Sequence, residues 1–143
     1  MPDRLLLLVG LLSLAVALGT GACEHADPVG AGEPGVQPTL SSIQENVFST
    51  SCALSGCHAG PNPQQGMNLS AGQAHANLVN VRSDERPSLF RVEPGAPDRS
   101  YLVHKIEGRS SIVGERMPLG GERLSQEKID AIRTWIENGA PEN

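Results

Sequence analysis

Apolar residues are spread along this chain in three ways. Leu5 to Leu18 is an almost unbroken apolar run, preceded by Arg4 and followed by Gly19, Thr20, Gly21 and Ala22. A positive start, an apolar stretch and a small-residue exit have the form of a secretory signal peptide, predicted over residues 1–22. The run is shorter than the ~20 residues that a membrane-spanning helix needs. Residues 23–40 have no apolar period, and Asp27-Pro28, Gly30, Gly32, Pro34-Gly35 and Pro38 punctuate them. That composition predicts a flexible, extended linker.

From residue 41 to 143 the apolar positions recur at helical spacing in four places. Ser41 with Gln44, or Ser42 with Glu45, makes a capping box ahead of Ile43, Val47 and Phe48. The predicted helix runs to about Thr50. A second helix is capped by Ser70, with Ala74 and Leu78 facing inward. Residues 79–97 are irregular, with Leu89, Phe90 and Val92 available for packing. A third helix opens with Asp98 as its N-cap, carries Leu102 and Ile106 on one face and stops at Gly108. The last is the clearest: Ser125 caps it, Leu124 can staple against Ile129, and Ile129, Ile132 and Ile136 form a stripe with Ala131 and Trp135 adjoining. Gly139 is its natural stop. An all-α domain is predicted.

Composition changes this picture in one respect. Only 3% of the residues are aromatic, while glycine numbers 16 and proline 11. That is thin material for a close-packed core, and a large flat cofactor would supply the missing apolar volume. A modest core in a loop-rich domain is the plainer alternative. The net charge of −5 and the lack of any basic stripe argue against a nucleic-acid partner. No catalytic dyad, triad or nucleotide loop is present.

The chemistry concentrates in Cys52-Ala53-Leu54-Ser55-Gly56-Cys57-His58. Two thiols followed directly by an imidazole are what a c-type haem site needs: the sulfurs bond to the vinyl groups and the histidine reaches the iron. The usual spacing is C-x-x-C-H. Here four residues separate the cysteines, so the loop must bulge outward, and Gly56 can adopt backbone angles closed to other residues. Two other readings of the same residues stay open. Cys52 and Cys57 could form a disulfide in an exported domain. Cys52, Cys57 and His58 could supply three ligands to zinc.

At this motif the chain resembles the cytochrome c family, in its single-haem, exported bacterial form, where a C-x4-C-H attachment site is a minority variant. The resemblance covers about residues 40–140. It implies a small helical domain wrapped around one covalent haem c, with Cys52 and Cys57 as thioether donors and His58 as an axial ligand. Such proteins take a methionine sulfur on the far side of the iron, often in a Met-Pro loop, and Glu115-Arg116-Met117-Pro118-Leu119-Gly120-Gly121 has that form. Met117 is therefore expected as the second axial ligand. Met67 is the rival, but it lies nine residues after His58 with two prolines between, and wrapping around a haem edge so quickly is difficult. His75 and His104 are expected to be satisfied helical histidines. "LSQEKIDAIRTWIENGA" is similar to the family's terminal helix, which packs across the first helix.

Cys23 follows the small residues of the signal directly, which resembles the lipobox of bacterial lipoproteins, with Thr20 where leucine is preferred. Lipidation of Cys23 would account for the odd count of three cysteines. These resemblances together imply an exported, periplasmic, membrane-tethered electron carrier whose partners are redox proteins. If Met117 does not bind iron, a five-coordinate haem acting as a gas sensor or peroxidase is the alternative. Without haem, a disulfide-held or zinc-holding exported module remains.

Overall fold

Helix α1 begins at Leu40 because both ends of the chain's last hundred residues meet there. In the computed structural model, which describes residues 35–143, the Ser41 N–H donates to the Asn143 carbonyl at 2.8 Å, and the Leu40 N–H donates to Asn143 Oδ1 at 3.0 Å. The Thr39 hydroxyl accepts from the Ser42 N–H at 3.3 Å. The first N–H groups of the helix are thus satisfied without the predicted capping box. Neither Ser41 nor Ser42 is the cap; the Ser42 hydroxyl accepts instead from the Gln37 N–H at 2.9 Å. The signal segment 1–22 and Cys23 lie outside the described residues.

α1 (Leu40–Ile43) continues without a break as a π-helix over Gln44–Cys52. Side-chain donors take carbonyls inside it: Asn46 Nδ2 bonds the Ser42 carbonyl at 2.8 Å, and the Thr50 hydroxyl bonds that of Asn46 at 3.0 Å. Such competition disturbs the regular ladder, and the Ala53 N–H reaches the Phe48 carbonyl at 2.7 Å, five residues back. The predicted helix therefore exists, but its wider second part carries the chain as far as Cys52.

The other three helices start where local chemistry allows. α2 is Ala74–Leu78. Ser70 does not cap it, because Gly72 stands at φ +74, outside helical space, and the Gln73 N–H closes a turn on the Ser70 carbonyl at 2.9 Å. α3 is Tyr101–Glu107, with Ser100 in the N-cap position. Asp98, predicted as that cap, lies in a preceding 3₁₀ turn, Pro97–Arg99. Its carboxylate accepts from Arg109 at 2.6 Å and Arg133 at 3.0 Å, and those guanidiniums hold it below the usual aspartate pKa. α4 is Gln126–Glu137, capped as predicted by Ser125, whose hydroxyl accepts from the Lys128 N–H at 3.4 Å.

α4 packs against α1 and α3. Between them lie Ile43, Val47, Phe48, Val103, Ile106, Ile129, Ile132, Trp135 and Ile136, each 2% exposed or less. Leu124 and Ile129 are both buried, and Ala74 and Leu78 close the core from α2. Trp135 donates from Nε1 to the Pro141 carbonyl at 2.9 Å, so the one large aromatic is buried with its polar atom satisfied. No strand forms among the described residues; backbone pairing outside the helices is limited to isolated bridges such as Val79–Val92 and Arg82–Phe90. The domain is all-helical, as predicted. It also reaches further back than residue 41, since Val36 and Leu40 pack on the core and the Val36 N–H donates to Glu127 Oε1 at 2.9 Å.

Candidate functional site

Cys52 enters the site from the end of the π-helix, and the backbone then folds back on itself. The His58 N–H donates to the Cys52 carbonyl at 3.1 Å, and the Cys57 N–H to that of Leu54 at 3.0 Å. Residues 54–57 therefore project outward and are exposed, with Gly56 at φ +80. The additional loop residues are accommodated as a surface bulge while His58 turns inward, 8% exposed. Two further bonds hold its segment: Gln64 N–H to the Cys57 carbonyl at 2.8 Å, and Leu69 N–H to the His58 carbonyl at 2.8 Å.

The imidazole of His58 has a defined tautomer. Its Nδ1 lies 3.2 Å from the Gln64 carbonyl, which can only accept, so the proton of the neutral ring is on Nδ1. Nε2 has no hydrogen-bond partner among the described residues and keeps its lone pair. Burial is the main cause that lowers the His58 pKa below its ordinary 6.5. The charges of Arg91 and Lys105 act in the same direction, against the backbone contacts of Gln64 and Met67. The ring is thus neutral at pH 7. A neutral imidazole with one nitrogen fixed on a carbonyl is the form in which histidine binds a metal.

Cys52 and Cys57 are both free thiols, one half-buried and one exposed. Burial pushes the Cys52 thiol up from 9.0 to about 11, with the charge of Cys57 adding to the rise. No disulfide joins them, and no cluster of three or more His, Cys, Asp or Glu side chains that could hold a metal ion occurs among the described residues.

Met117 comes to the site from the loop between α3 and α4. Its N–H donates to the Lys105 carbonyl at 2.9 Å, and Arg116 braces the loop by donating to the carbonyls of Met117 at 3.1 Å and Gly121 at 3.3 Å. His58, Cys52 and Met117 line one hollow together with Leu69, Leu102 and Ile106. The inner part has a volume of about 70 Å³. Cys52, His58 and Met117 also border a cleft of about 760 Å³, together with Cys57, Leu54, Pro118 and Leu119. Leu54 at 45% and Leu119 at 67% are among the few large apolar side chains left exposed, and both stand at this cleft.

The four predicted donors of the described region thus gather around one cavity. Met67, the rival expected to lie too near His58 in sequence to wrap a haem edge, also lines the inner hollow. A 3₁₀ turn, Gln64–Gly66, with Gln65 at φ 56, reverses the chain quickly enough to bring Met67 into the inner hollow. Met117 borders both the hollow and the cleft, whereas Met67 borders only the hollow. His104 and His75 are occupied elsewhere, as expected. His104 Nε2 is 2.8 Å from the Asp98 carbonyl and its Nδ1 is 3.3 Å from the Ser111 hydroxyl; His75 Nε2 is 3.0 Å from the Ala140 carbonyl.

Sequence reasoning missed the polar wall of the hollow. Glu85, Arg91, Tyr101 and Lys105 all line it. Arg91 is 8% exposed and donates to Asp84 at 2.9 Å, the Gln65 carbonyl at 2.6 Å and the Asn77 carbonyl at 3.0 Å. The Tyr101 hydroxyl donates to Glu85 Oε2 at 2.8 Å, and burial is the first cause that raises its pKa above 10.0. One signal could have found two of these residues: Tyr101 and Lys105 stand four apart on α3, each beside a member of the predicted Leu102–Ile106 pair. Comparisons of the chain with protein-family models, curated proteins and solved structures return no match.

Proposed function

We propose that this chain is a covalent c-type haem protein that carries electrons. The observation that supports the reading most is the donor set around one cavity. A neutral imidazole with a free Nε2, a thioether from a distant loop and two free thiols border the same cleft. Cys52 and Cys57 would hold the group through thioethers, each S–H adding across a vinyl double bond with no net change of oxidation state. His58 and Met117 would take the two axial positions. When bound, the haem supplies one-electron chemistry between ferrous and ferric iron.

The chain's own residues do the rest. The Gln64 carbonyl fixes the ring of His58, the bonds from Met117 and Arg116 hold the thioether loop, and Leu69, Leu102 and Ile106 keep water from the inner wall. The helical domain would wrap one haem in the manner of a small cytochrome c, leaving an edge at the cleft bordered by Leu54 and Leu119 for redox partners. With His58 and Met117 both holding the iron, the protein would act as a carrier rather than a catalyst. Export, lipidation at Cys23 and a periplasmic membrane tether complete the proposal and rest on the sequence of residues 1–23.

The test is the optical spectrum of the haem-loaded protein, with Met67 and Met117 replaced in turn. The expected result is a six-coordinate low-spin spectrum that becomes high-spin in Met117→Ala and persists in Met67→Ala. The reverse pattern would move the axial role to Met67. A high-spin wild type would replace the carrier with a gas-binding or peroxidase haem.

A further inference from the structure

The cavity wall holds an ion pair that stability alone does not explain. Lys105 Nζ donates to Glu85 Oε2 at 3.1 Å, with the two side chains 10% and 18% exposed. The pair is not isolated. The Tyr101 hydroxyl also donates to Glu85 Oε2, Lys105 Nζ also donates to the Val113 carbonyl at 2.8 Å, and the Val113 N–H donates to the Tyr101 hydroxyl at 3.0 Å. Glu85 Oε2, Lys105 Nζ and the Tyr101 hydroxyl all have partners, yet apolar residues of similar volume often serve as well as a buried pair. What distinguishes this one is its position. Both residues face the hollow that His58 and Met117 border. The backbone carbonyl of Lys105 also accepts the Met117 N–H.

We propose that Glu85 and Lys105 act on the reduction potential of the iron held by His58 and Met117 in opposite directions and are balanced as a pair, an inference that rests on the haem reading above. Charges in a poorly solvated wall act strongly on any charge that changes beside them. Oxidation adds one positive charge at the iron. Lys105 opposes that charge and Glu85 favours it, so the intact pair is nearly neutral in effect and each half alone is not. The neighbouring Arg91–Asp84 pair, 2.9 Å apart, stays constant in the comparison.

The experiment is a potentiometric titration of the haem-loaded full chain and four variants. Glu85→Gln is expected to raise the potential, by about a tenfold change in the ferrous-to-ferric ratio at fixed ambient potential, or about 59 mV for one electron. Lys105→Met is expected to lower it by a similar factor. Lys105→Arg, which keeps the charge, and the double variant Glu85→Gln with Lys105→Met are expected to stay near wild type. The methionine-to-iron charge-transfer band is read in each protein, so loss of the Met117 bond is separated from loss of a charge. If Lys105→Met loses that band, Glu85→Gln decides alone. Potentials that do not move, or that move in one direction in both single variants while the band is intact, overturn this inference and leave the haem reading standing. A wild type that carries no haem overturns both.

Discussion

The half of the domain built from α1, α3 and α4 and the half built from the loops around residues 53–73 and 109–123 are held together by different means. In the first, Ile43, Phe48, Ile132, Trp135 and Ile136 interlock between helices, each fully buried. In the second, few apolar side chains meet. The loops are tied by single polar links, with Arg91 reaching Gln65 and Asn77, Arg116 reaching Gly121, and Lys105 reaching Val113 and Met117. One half is closed by its own side chains. The other keeps a cleft open and presents an imidazole, thioethers and thiols to it. Stability and chemistry are therefore separable, and substitutions should divide accordingly.

The largest contrast is between Trp135 and Leu119. Trp135→Ala should cost about 4 kcal/mol in urea unfolding of the haem-free protein, the range for a large buried aromatic. Leu119→Ala, at an exposed cleft edge, should stay within about 0.5 kcal/mol. Equal losses would erase the distinction between the halves. Next in size is Arg91→Met, which removes charge-assisted bonds to the Gln65 loop carbonyl, the Asn77 carbonyl of α2 and Asp84. A loss of about 2 kcal/mol is expected, with faster proteolysis around residues 61–67 while α4 stays protected from hydrogen exchange. Uniform loss of protection would mean that the polar ties hold the whole domain. Ser125→Ala should cost about 1 kcal/mol through α4 alone.

A further contrast is a pH dependence, confined to alkaline solution. Burial raises the Cys52 pKa from 9.0 to about 11. The folded haem-free protein then holds that proton more tightly than the unfolded chain does. Its contribution is fully present below about pH 9 and is lost as the pH rises through about 11. Urea midpoints under reducing conditions should fall across that window in the wild type and less steeply in Cys52→Ser. Identical slopes would place the thiol in a more solvated setting.

How much of this was legible depended on periodicity. The α4 stripe of Ile129, Ile132 and Ile136 repeats at helical spacing, and the helix formed as predicted, down to the Ser125 cap. That Cys52, Cys57, His58 and Met117 could be singled out as candidates was owed to the first three being close in sequence and to the Met-Pro form of the Met117 loop; the structure puts all four at one cleft. The starts of α1, α2 and α3 were not legible. The cap of α1 draws on Asn143, which lies at the far end of the chain, and Asp98 was drawn away from capping by Arg109 and Arg133. The polar wall was hidden for the same reason. Arg91 and Glu85 lie in irregular chain, and their partners are fixed only by the folded path. The place of Met67 at the hollow was not legible, because the turn before it depends on Gln65 in a left-handed conformation, which no glycine or asparagine at that position signals.

The most direct test of the account is whether haem is attached covalently. The full chain is produced in an exporting bacterium with active cytochrome c maturation, denatured and precipitated, and its pyridine haemochrome spectrum is recorded beside a control cytochrome. The account predicts one haem per chain that stays with the denatured protein, and that is lost when Cys52 and Cys57 are both replaced by alanine. A haem-free wild type beside a fully matured control would contradict it.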